Sequence, residues 1–599
     1  MKFVAYDIEV YPDTFLVTTA REIPGGGIQY DRVECIHKVE NDDIYRIHQM
    51  FKDDCVYVGF NVHHYDNIIL SDIYEEVSLR KTEDIYKRSK EIIDGIHGYP
   101  RFDVNKKQTV DIKSFYPMGT SLKLLQATRG YGVFETPYDF NEPLGSDLKR
   151  QEIQRYCEND CLTILKLLKE APLAEMPEII RVLEGTFSLK AGIRFFKPGP
   201  ALAEALFREM YFPRMKSPKI HKLNRDIKGG DIKHLKEFPD FVSPELNAVK
   251  NYYLDALIYD GDSVNEVNQT LLYADNAIDL GIGGIHGTNR TKVMTLLKST
   301  EEDTIFEVDV ASYYPNIIKN LKLEPILLTG KFSRTYAGML EKRLKAKETG
   351  NKTVANAMKL VLNSVFGKTM SKYPGLLYNP EMGLTITIYG QLCMLKILEY
   401  LDGLPVEVIG LNTDGLFLQC KRTDKPSIEA AVAKWEKDFN FDLSYSEIGR
   451  MYMENINNYV IGTDSEITKT KGIMYNFSQK NRIAKVVKIG KCMLKLDLMK
   501  QEDLLELFEE YLESEGIGAF TMYGKTNQDH QLYLGKKHIG KIYTVIYSDS
   551  DLMLIRKNLL NERKTKVIGG CTDILDSNLL DYSRYVSDID SDWTVETFH

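Results

Sequence analysis

Residues Thr304 to Ile318 read TIFEVDVASYYPNII, and the rest of the chain can be ordered around them. Phe306, Val308 and Val310 alternate with Glu307 and Asp309, the period-two pattern of a strand with one buried face. The run then meets Ser312-Tyr313-Tyr314-Pro315, which reads as a turn. Asp309 therefore stands on the polar face near a strand end. An acid at such a place is commonplace; what gives it meaning is a partner. Further along, Val406 and Val408, then Gly410-Leu411-Asn412-Thr413-Asp414-Gly415, then Leu416 to Leu418, read as strand, tight turn and strand. The turn carries Asp414, the acid that Asp309 needs.

Between the two acids lies a predicted helical hairpin. Thr335 to Glu348 has a helical pattern ending near Gly350-Asn351, and Thr353 can cap a second helix that runs to about Phe366. Arg343 and Lys347 share one face at i, i+4, and Lys359, Asn363 and Phe366 share another at i, i+4, i+7. Ahead of the first strand, Gly281-Ile282-Gly283-Gly284-Ile285-His286-Gly287 is a glycine-dense turn. It reads either as a connector or as a place where backbone approaches a phosphate closely.

The N-terminal third carries acids of its own. Asp7 and Glu9 alternate on a strand that begins with Phe3, Val4 and Ala5, and two acids side by side on a buried strand call for a cation. Val56, Val58 and Phe60 make a later strand leading into Asn61-Val62-His63-His64-Tyr65-Asp66. Ser121-Leu122 starts an apparent helix, and a longer one follows from an N-cap at Ser146 to about Lys169, with Tyr156 and Asp160 on one face.

Bulk properties bound the class. A chain of 599 residues is long enough for about three to five domains. With 43% hydrophobic and 27% charged residues it can bury large cores. A net charge of −9 argues against a simple nucleic-acid coat, though not against an enzyme with a local basic channel. The eight cysteines lack zinc-type pairing, so reduced thiols in a cytosol are expected, with Cys157 and Cys161 as packing residues. Asp7 and Glu9 fall where a signal peptide needs apolar residues and no long apolar run follows, so a soluble, cytoplasmic protein without a membrane segment is expected.

Taken together, the N-terminal motifs (Asp-x-Glu, Asn-x-x-x-Tyr-Asp and Tyr-x-x-x-Asp, in that order) resemble the 3′–5′ exonuclease domain of the DnaQ-like, ribonuclease-H-type fold. The resemblance implies that Asp7, Glu9, Asp66 and Asp160 hold two metal ions and that Tyr156 positions the attacking water. Asn61, Tyr65, Ser121 and Leu122 would then contact a single-stranded 3′ end. The later motifs resemble family B DNA polymerases. Asp309-Val-Ala-Ser312-Tyr313-Tyr314-Pro315 is similar to that family's first palm motif. Lys359-x-x-x-Asn363-Ser-x-Phe366-Gly367 is similar to its fingers signature with Phe for Tyr, and Asn412-Thr413-Asp414-Gly415 to its Asp-Thr-Asp-Ser hairpin. Two departures stand out: Asn412 replaces the first aspartate and Gly415 the serine. Gly283 and Gly284 match the glycines, though not the tyrosine, of the Tyr-x-Gly-Gly motif of compact phage enzymes. Tyr459 keeps the tyrosine of a Lys-x-Tyr primer contact whose lysine is lost, with Lys471-Gly472 following.

The resemblance implies a compact, phage-type replicative polymerase, α/β and α+β multidomain, with a ribonuclease-H-like exonuclease domain followed by palm, fingers and thumb. The expected division is 1–180 exonuclease, 181–290 connector and start of palm, 291–330 palm, 331–372 fingers, 373–475 palm and 476–599 thumb and tail. Asp309, Asp414 and the Val310 carbonyl would hold two Mg²⁺ ions, or Mn²⁺ in their place. Ser312, Tyr313, Tyr314, Arg343, Lys347, Lys359 and Asn363 would receive a dNTP, with Tyr314 excluding ribose. Phe366, Gly367, Gly283, Gly284, Tyr459 and Lys471 would meet DNA. A basic run, Lys480, Arg482, Lys485, Lys488, Lys491 and Lys495, is expected to grip the duplex backbone. The acidic tail, Ser587-Asp588-Ile589-Asp590-Ser591-Asp592, would be mobile or meet a partner. Because the exonuclease begins at residue 1, the extra N-terminal domain of larger members is expected to be missing. Short intervals around the fingers leave little room for terminal-protein or strand-displacement insertions. Ordinary primer extension by a monomer, helped by a helicase, primase or processivity factor, follows from that. The rival reading is an exonuclease whose palm has decayed into a DNA-binding scaffold, with Asn412 as its sign.

Overall fold

The computed structural model describes residues 1–95, 109–131, 133–136, 138–213, 221–472, 483–526, 529–573 and 577–590. Lys480, Arg482 and the Ser591-Asp592 part of the acidic tail lie outside them. The protein is a mixed α/β multidomain chain, and its contacts divide it into two compact units. One comprises Met1–Met210, Tyr523–Thr544 and Leu554–Val567. The other comprises Tyr211–Met522, Val545–Met553 and the described residues from Ile568. The first unit thus extends past residue 180, and the 476–599 segment, expected as one thumb with its tail, is shared between the two.

The first unit is built on β1 (Phe3–Tyr11), β2 (Thr14–Glu22), β3 (Ile28–Ile36), β4 (Val56–Gly59) and β5 (Thr109–Asp111), in the order β3-β2-β1-β4-β5. β1 pairs antiparallel with β2 and parallel with β4. Helices α1 (Asn41–Met50), α2 (Asp66–Glu75) and α3 (Thr82–Ile93) pack on it through Ile47, Ile68, Ile69, Ile73, Ile85 and Ile92, all buried with Val4, Tyr6, Ile8 and Phe51. Helices α4 (Leu122–Arg129) and α5 (Asp147–Leu167) follow. Ser121 and Ser146 are their N-caps, accepting from Leu124 N at 3.1 Å and Lys149 N at 3.4 Å, as the sequence suggests. Asp13, in the β1–β2 turn, accepts from the backbone N–H of Leu144 and Gly145, both at 2.9 Å. That contact pins the start of α5 to the hairpin whose first strand carries Asp7 and Glu9.

The second unit carries a seven-stranded antiparallel sheet. In chain order its strands and those of a second sheet are β6 (Gln269–Tyr273), β7 (Asn276–Gly281), β8 (Gly284–Asn289), β9 (Leu296–Lys298) and β10 (Asp303–Val310). β11 (Val406–Leu411), β12 (Gly415–Lys421), β13 (Leu443–Ile448), β14 (Arg450–Asn455), β15 (Asn458–Gly462) and β16 (Ile467–Lys471) complete them. The large sheet runs β13-β10-β12-β11-β8-β7-β6, and the smaller one β9-β14-β15-β16. Ile305, Phe417 and Ile409 from the first meet Met451, Met453 and Ile461 from the second in one buried cluster.

Beyond β10 the chain forms α6 (Tyr313–Asn320), the hairpin α7 (Phe332–Glu348) and α8 (Lys352–Thr369), and then α9 (Pro380–Leu401). By length and composition α9 could cross a bilayer, yet 83% of its apolar window is buried inside the protein, so it is the core helix of this unit. It is bonded to elements on either side. Tyr313 OH donates to the Gly390 carbonyl at 2.6 Å, and Gln391 Nε2 donates to the Gly281 carbonyl at 2.6 Å.

Three local expectations are corrected. Ser312-Tyr313-Tyr314-Pro315 is a helix start, with Ser312 in the left-handed region (φ +54°). Asn351, not Thr353, caps α8, its side chain accepting from Val354 N at 3.1 Å. The basic run after residue 483 is not a free cationic face. Lys485 pairs with Glu515 at 2.6 Å, Lys488 and Lys491 are buried, and Lys495 donates to Tyr452 OH at 3.1 Å. Apolar neighbours Val486, Val487 and Ile489 draw that helix, Lys485–Lys495, into the core, and burial pulls the Lys488 amine down to about 8.

Candidate functional site

Two constellations of acids form, one in each unit. In the first, parallel pairing of β1 and β4 sets Ala5 opposite Val58, and the chain then turns back through a left-handed Asn61 (φ +69°) so that α2 begins at Asp66. Gly59 makes the turn possible, because a Cβ there would fall 2.1 Å from Val62 Cγ1. Asp66 Oδ1 accepts from Ile8 N at 3.2 Å, between Asp7 and Glu9 on β1. From the other side, α5 lays Tyr156 and Asp160 on one face against β1 and β2.

All four carboxyls are pushed above their ordinary range, with burial as the first cause. Asp7 is raised further by Asp66, Glu9 and Asp160, and Glu9 by Asp160. Asp66 is pushed up to about 7 by burial against the pull of its backbone hydrogen bonds. Lys123 offsets part of this charge: its Nζ lies 2.6 Å from Asp160 Oδ1 and 3.9 Å from the Tyr156 ring centroid. Gln126 Nε2 donates to the same Asp160 oxygen at 2.8 Å. Three buried acids and a half-buried Asp7, with one lysine, leave negative charge that a hard divalent cation would neutralise, and an all-oxygen donor set suits Mg²⁺ or Mn²⁺. Cys157 is close by, its Sγ 3.6 Å from Asp7 Oδ2, within a group of Asp7, Glu9 and Cys157 whose ligand atoms all lie within 4.8 Å of one another.

Beside these acids is a cavity of about 310 Å³ lined by Asp7, Glu9, Asn61, Tyr65 and Asp66, and also by Tyr86, Lys90 and Phe140. Tyr65 OH and Ser89 Oγ are 2.6 Å apart, which fixes that ring, and Asn61 Oδ1 accepts from Lys113 Nζ at 2.9 Å. Ser121 is exposed and Leu122 half-buried at the start of α4. Sequence patterns did not single out Lys123, which reaches Asp160 from α4 alongside Gln126, nor Lys90 on α3. Asp111, also buried, is a turn anchor that accepts from Asn61 N at 2.8 Å and Lys113 N at 3.0 Å.

In the second unit β10 is the strand next to β12, with Asp309 in register with Gly415. Val310 N donates to the Asp414 carbonyl at 2.7 Å, so the two acids sit at the same end of neighbouring strands. Gly415 is tied to this closeness: a Cβ there would lie 2.8 Å from the Val308 carbonyl oxygen. Asp309 is pushed up to about 6, by burial first and then by Asp414 and Glu307, while Lys469 and Lys347 oppose the shift. Asp414 is also raised, chiefly by burial, with Lys471 opposing. Asn412 Oδ1 accepts from Lys471 Nζ at 3.4 Å, and Glu307 pairs with Lys469 at 2.6 Å. Glu307 was not singled out in the sequence as a candidate.

Around this pair the expected residues divide. The Arg343 guanidinium is buried and donates to Ser312 Oγ. Lys347, Lys359, Asn363 and Gly367 are exposed on the helical hairpin. Tyr314 packs its ring 4.8 Å from that of Phe366, at 57°. Tyr313 is corrected: it is a core side chain, 4% exposed, turned away by its bond to Gly390, so a nucleotide could meet only its backbone. At Gly284 (φ +151°) a Cβ would fall 2.6 Å from Thr413 Oγ1, so the close approach there is to the Asp414 hairpin, while Gly283 has open space. Tyr459 is buried against Phe417, centroids 5.3 Å apart, with Lys471 opposite it on β16.

No family model and no curated protein matches the chain. The solved family B DNA polymerase from the hyperthermophilic archaeon Pyrobaculum calidifontis is similar over 99% of this chain and 78% of that one, at 16% identity and a TM-score of 0.42. A likeness of that size leaves function to be argued from the side chains.

Proposed function

We propose that the chain is a DNA-directed DNA polymerase of the family B kind, phage-type, with 3′–5′ exonuclease proofreading by its first unit. The observation that carries the polymerase reading is Asp309 and Asp414 at the same end of adjacent strands, bonded through Val310 N and the Asp414 carbonyl at 2.7 Å, beside a helical hairpin that presents cations. Two Mg²⁺ or Mn²⁺ ions at each site, when bound, would lower the pKa of the attacking hydroxyl or water and steady the leaving oxygen. In the second unit Asp309, Asp414 and the Val310 carbonyl would hold them. Lys347 and Lys359 bind triphosphate oxygens as charge-assisted donors, and Arg343 orients Ser312 at the start of α6. Tyr314, backed by Phe366, closes the space that a ribose 2′-hydroxyl would need. Lys471, Gly283 and Gly367 would meet the primer–template, with Tyr459 packed beneath Lys471, and the protein extends the primer as a monomer in the host cytoplasm. A helicase, primase or processivity factor would join it there.

In the first unit Asp7, Glu9, Asp66 and Asp160 would hold the ions. Tyr156 and Lys123 orient the water's side of the scissile phosphate, and Asn61, Tyr65, Ser121 and Leu122 receive the unpaired 3′ end. The alternative, an exonuclease with a degenerate palm, draws on Asn412, a neutral amide where the resemblance expects an acid. A 5′-labelled primer on a longer template separates the two readings. Extension with dNTPs and degradation without them is the expected result; degradation alone in both conditions contradicts the polymerase reading.

A further inference from the structure

We propose that Glu307, held by Lys469, is the third anion of the palm site and supplies there the negative charge that Asn412 lacks; this rests on the polymerase reading above. Glu307 precedes Asp309 by two residues on β10, so both project from one face about 7 Å apart. Its carboxylate meets Lys469 Nζ at 2.6 Å. Lys471, two residues further along β16 and on the same face, reaches Asn412 Oδ1 at 3.4 Å. One edge strand thus presents two ammonium groups to the site, one to an acid and one to an amide. The acid is Glu307, and the amide stands where the resemblance expects the missing aspartate.

Glu307 stands opposite Phe417 on β12, two positions from the Asp309–Gly415 pair that follows Asp414, so it lies on the same two strands as both candidate ligands. Its side chain is 20% exposed, a half-buried acid on a catalytic face rather than a solvated strand edge. The bland alternative is an ion pair that merely braces β10 against β16. That alternative treats the two partners as equivalent. The proposal does not: Glu307 adds charge that attracts a cation, and Lys469 subtracts it.

The test uses the full chain with the exonuclease disabled by Asp7→Ala and Glu9→Ala. It reads the Mg²⁺ concentration that half-saturates primer extension and, independently of turnover, Mn²⁺ binding by electron paramagnetic resonance. Glu307→Gln should raise the Mg²⁺ requirement and weaken Mn²⁺ binding about tenfold, the size of an outer-sphere effect. Lys469→Gln should shift both in the opposite direction. Adding Asn412→Asp to Glu307→Gln should restore most of the loss. Equal shifts in the same direction from Glu307→Gln and Lys469→Gln, or Mn²⁺ binding unmoved by Glu307→Gln, overturn the proposal. Should Glu307→Gln fail to fold, Lys469→Gln decides alone, and no tightening of Mn²⁺ binding sinks the idea. A parent protein that binds Mn²⁺ in the proposed pattern yet never extends a primer sinks the polymerase reading instead.

Discussion

Single carboxyls set the pH behaviour. Asp66 is raised from its ordinary value to about 7, so its folded-state advantage belongs to the protonated form. That contribution to stability is fully present below the unfolded carboxyl's pKa and is lost as pH rises through about 7. Metal-free protein should therefore melt at a lower temperature at pH 8 than at pH 6, and Mg²⁺ or Mn²⁺ should raise the melting temperature more at pH 8; calorimetry at both pH values checks this. Asp309, pushed up to about 6, must be ionised to hold a cation, so extension should fall as pH drops through that value. Tyr314 makes a separate claim. Tyr314→Ala opens the space beside Phe366 and should raise ribonucleotide incorporation relative to deoxynucleotide by about tenfold or more, read from competing substrates. These residues were legible in the sequence because acids and aromatics keep fixed spacing along strands and helices. Lys123 and Glu307 were not, because what matters about them is the partner that tertiary folding supplies.

At the scale of elements, the β11–β12 hairpin that carries Asp414 is tightly constrained at Gly415. Serine at position 415, which the family resemblance expects, would put a Cβ 2.8 Å from the Val308 carbonyl. Gly415→Ser should accordingly cost about 1–3 kcal/mol in stability and lower extension, measured by denaturant melts beside the primer assay. The helical hairpin makes a gentler prediction. Lys359 is exposed at the surface of α8, so Lys359→Ala should raise the KM for dNTP about tenfold or more, as loss of a charged phosphate contact would, and leave the melting temperature unchanged. Alternation and capping made the strands and α5 readable. The readings failed where a local signal met a stronger competitor. Ser312-Tyr313-Tyr314-Pro315 carries turn residues, yet apolar Ile317 and Ile318 pull it into a helix; Asn351 lies nearer than Thr353 to the first free N–H groups; and the lysines of 485–495 alternate with core residues that bury their helix.

For the whole molecule, the chain order and the compact units do not coincide. Residues 523–544 and 554–567 belong with the N-terminal unit although the sequence runs through them without a break in composition. Such long-range sorting depends on contacts between distant segments, which periodicity and capping cannot report. With one acid constellation in each unit, the two proposed activities should be separable. Asp7→Ala with Glu9→Ala should abolish 3′-end degradation and spare extension. The central claim is that Asp309 and Asp414 are the catalytic pair of a working palm despite Asn412. Its most direct test is extension of a labelled primer on a DNA template with Mg²⁺, using that exonuclease-disabled protein with and without Asp414→Ala. Extension that disappears with Asp414→Ala is the predicted result. No extension with any divalent metal by the exonuclease-disabled protein, while the unmodified protein still shortens 3′ ends, would contradict it.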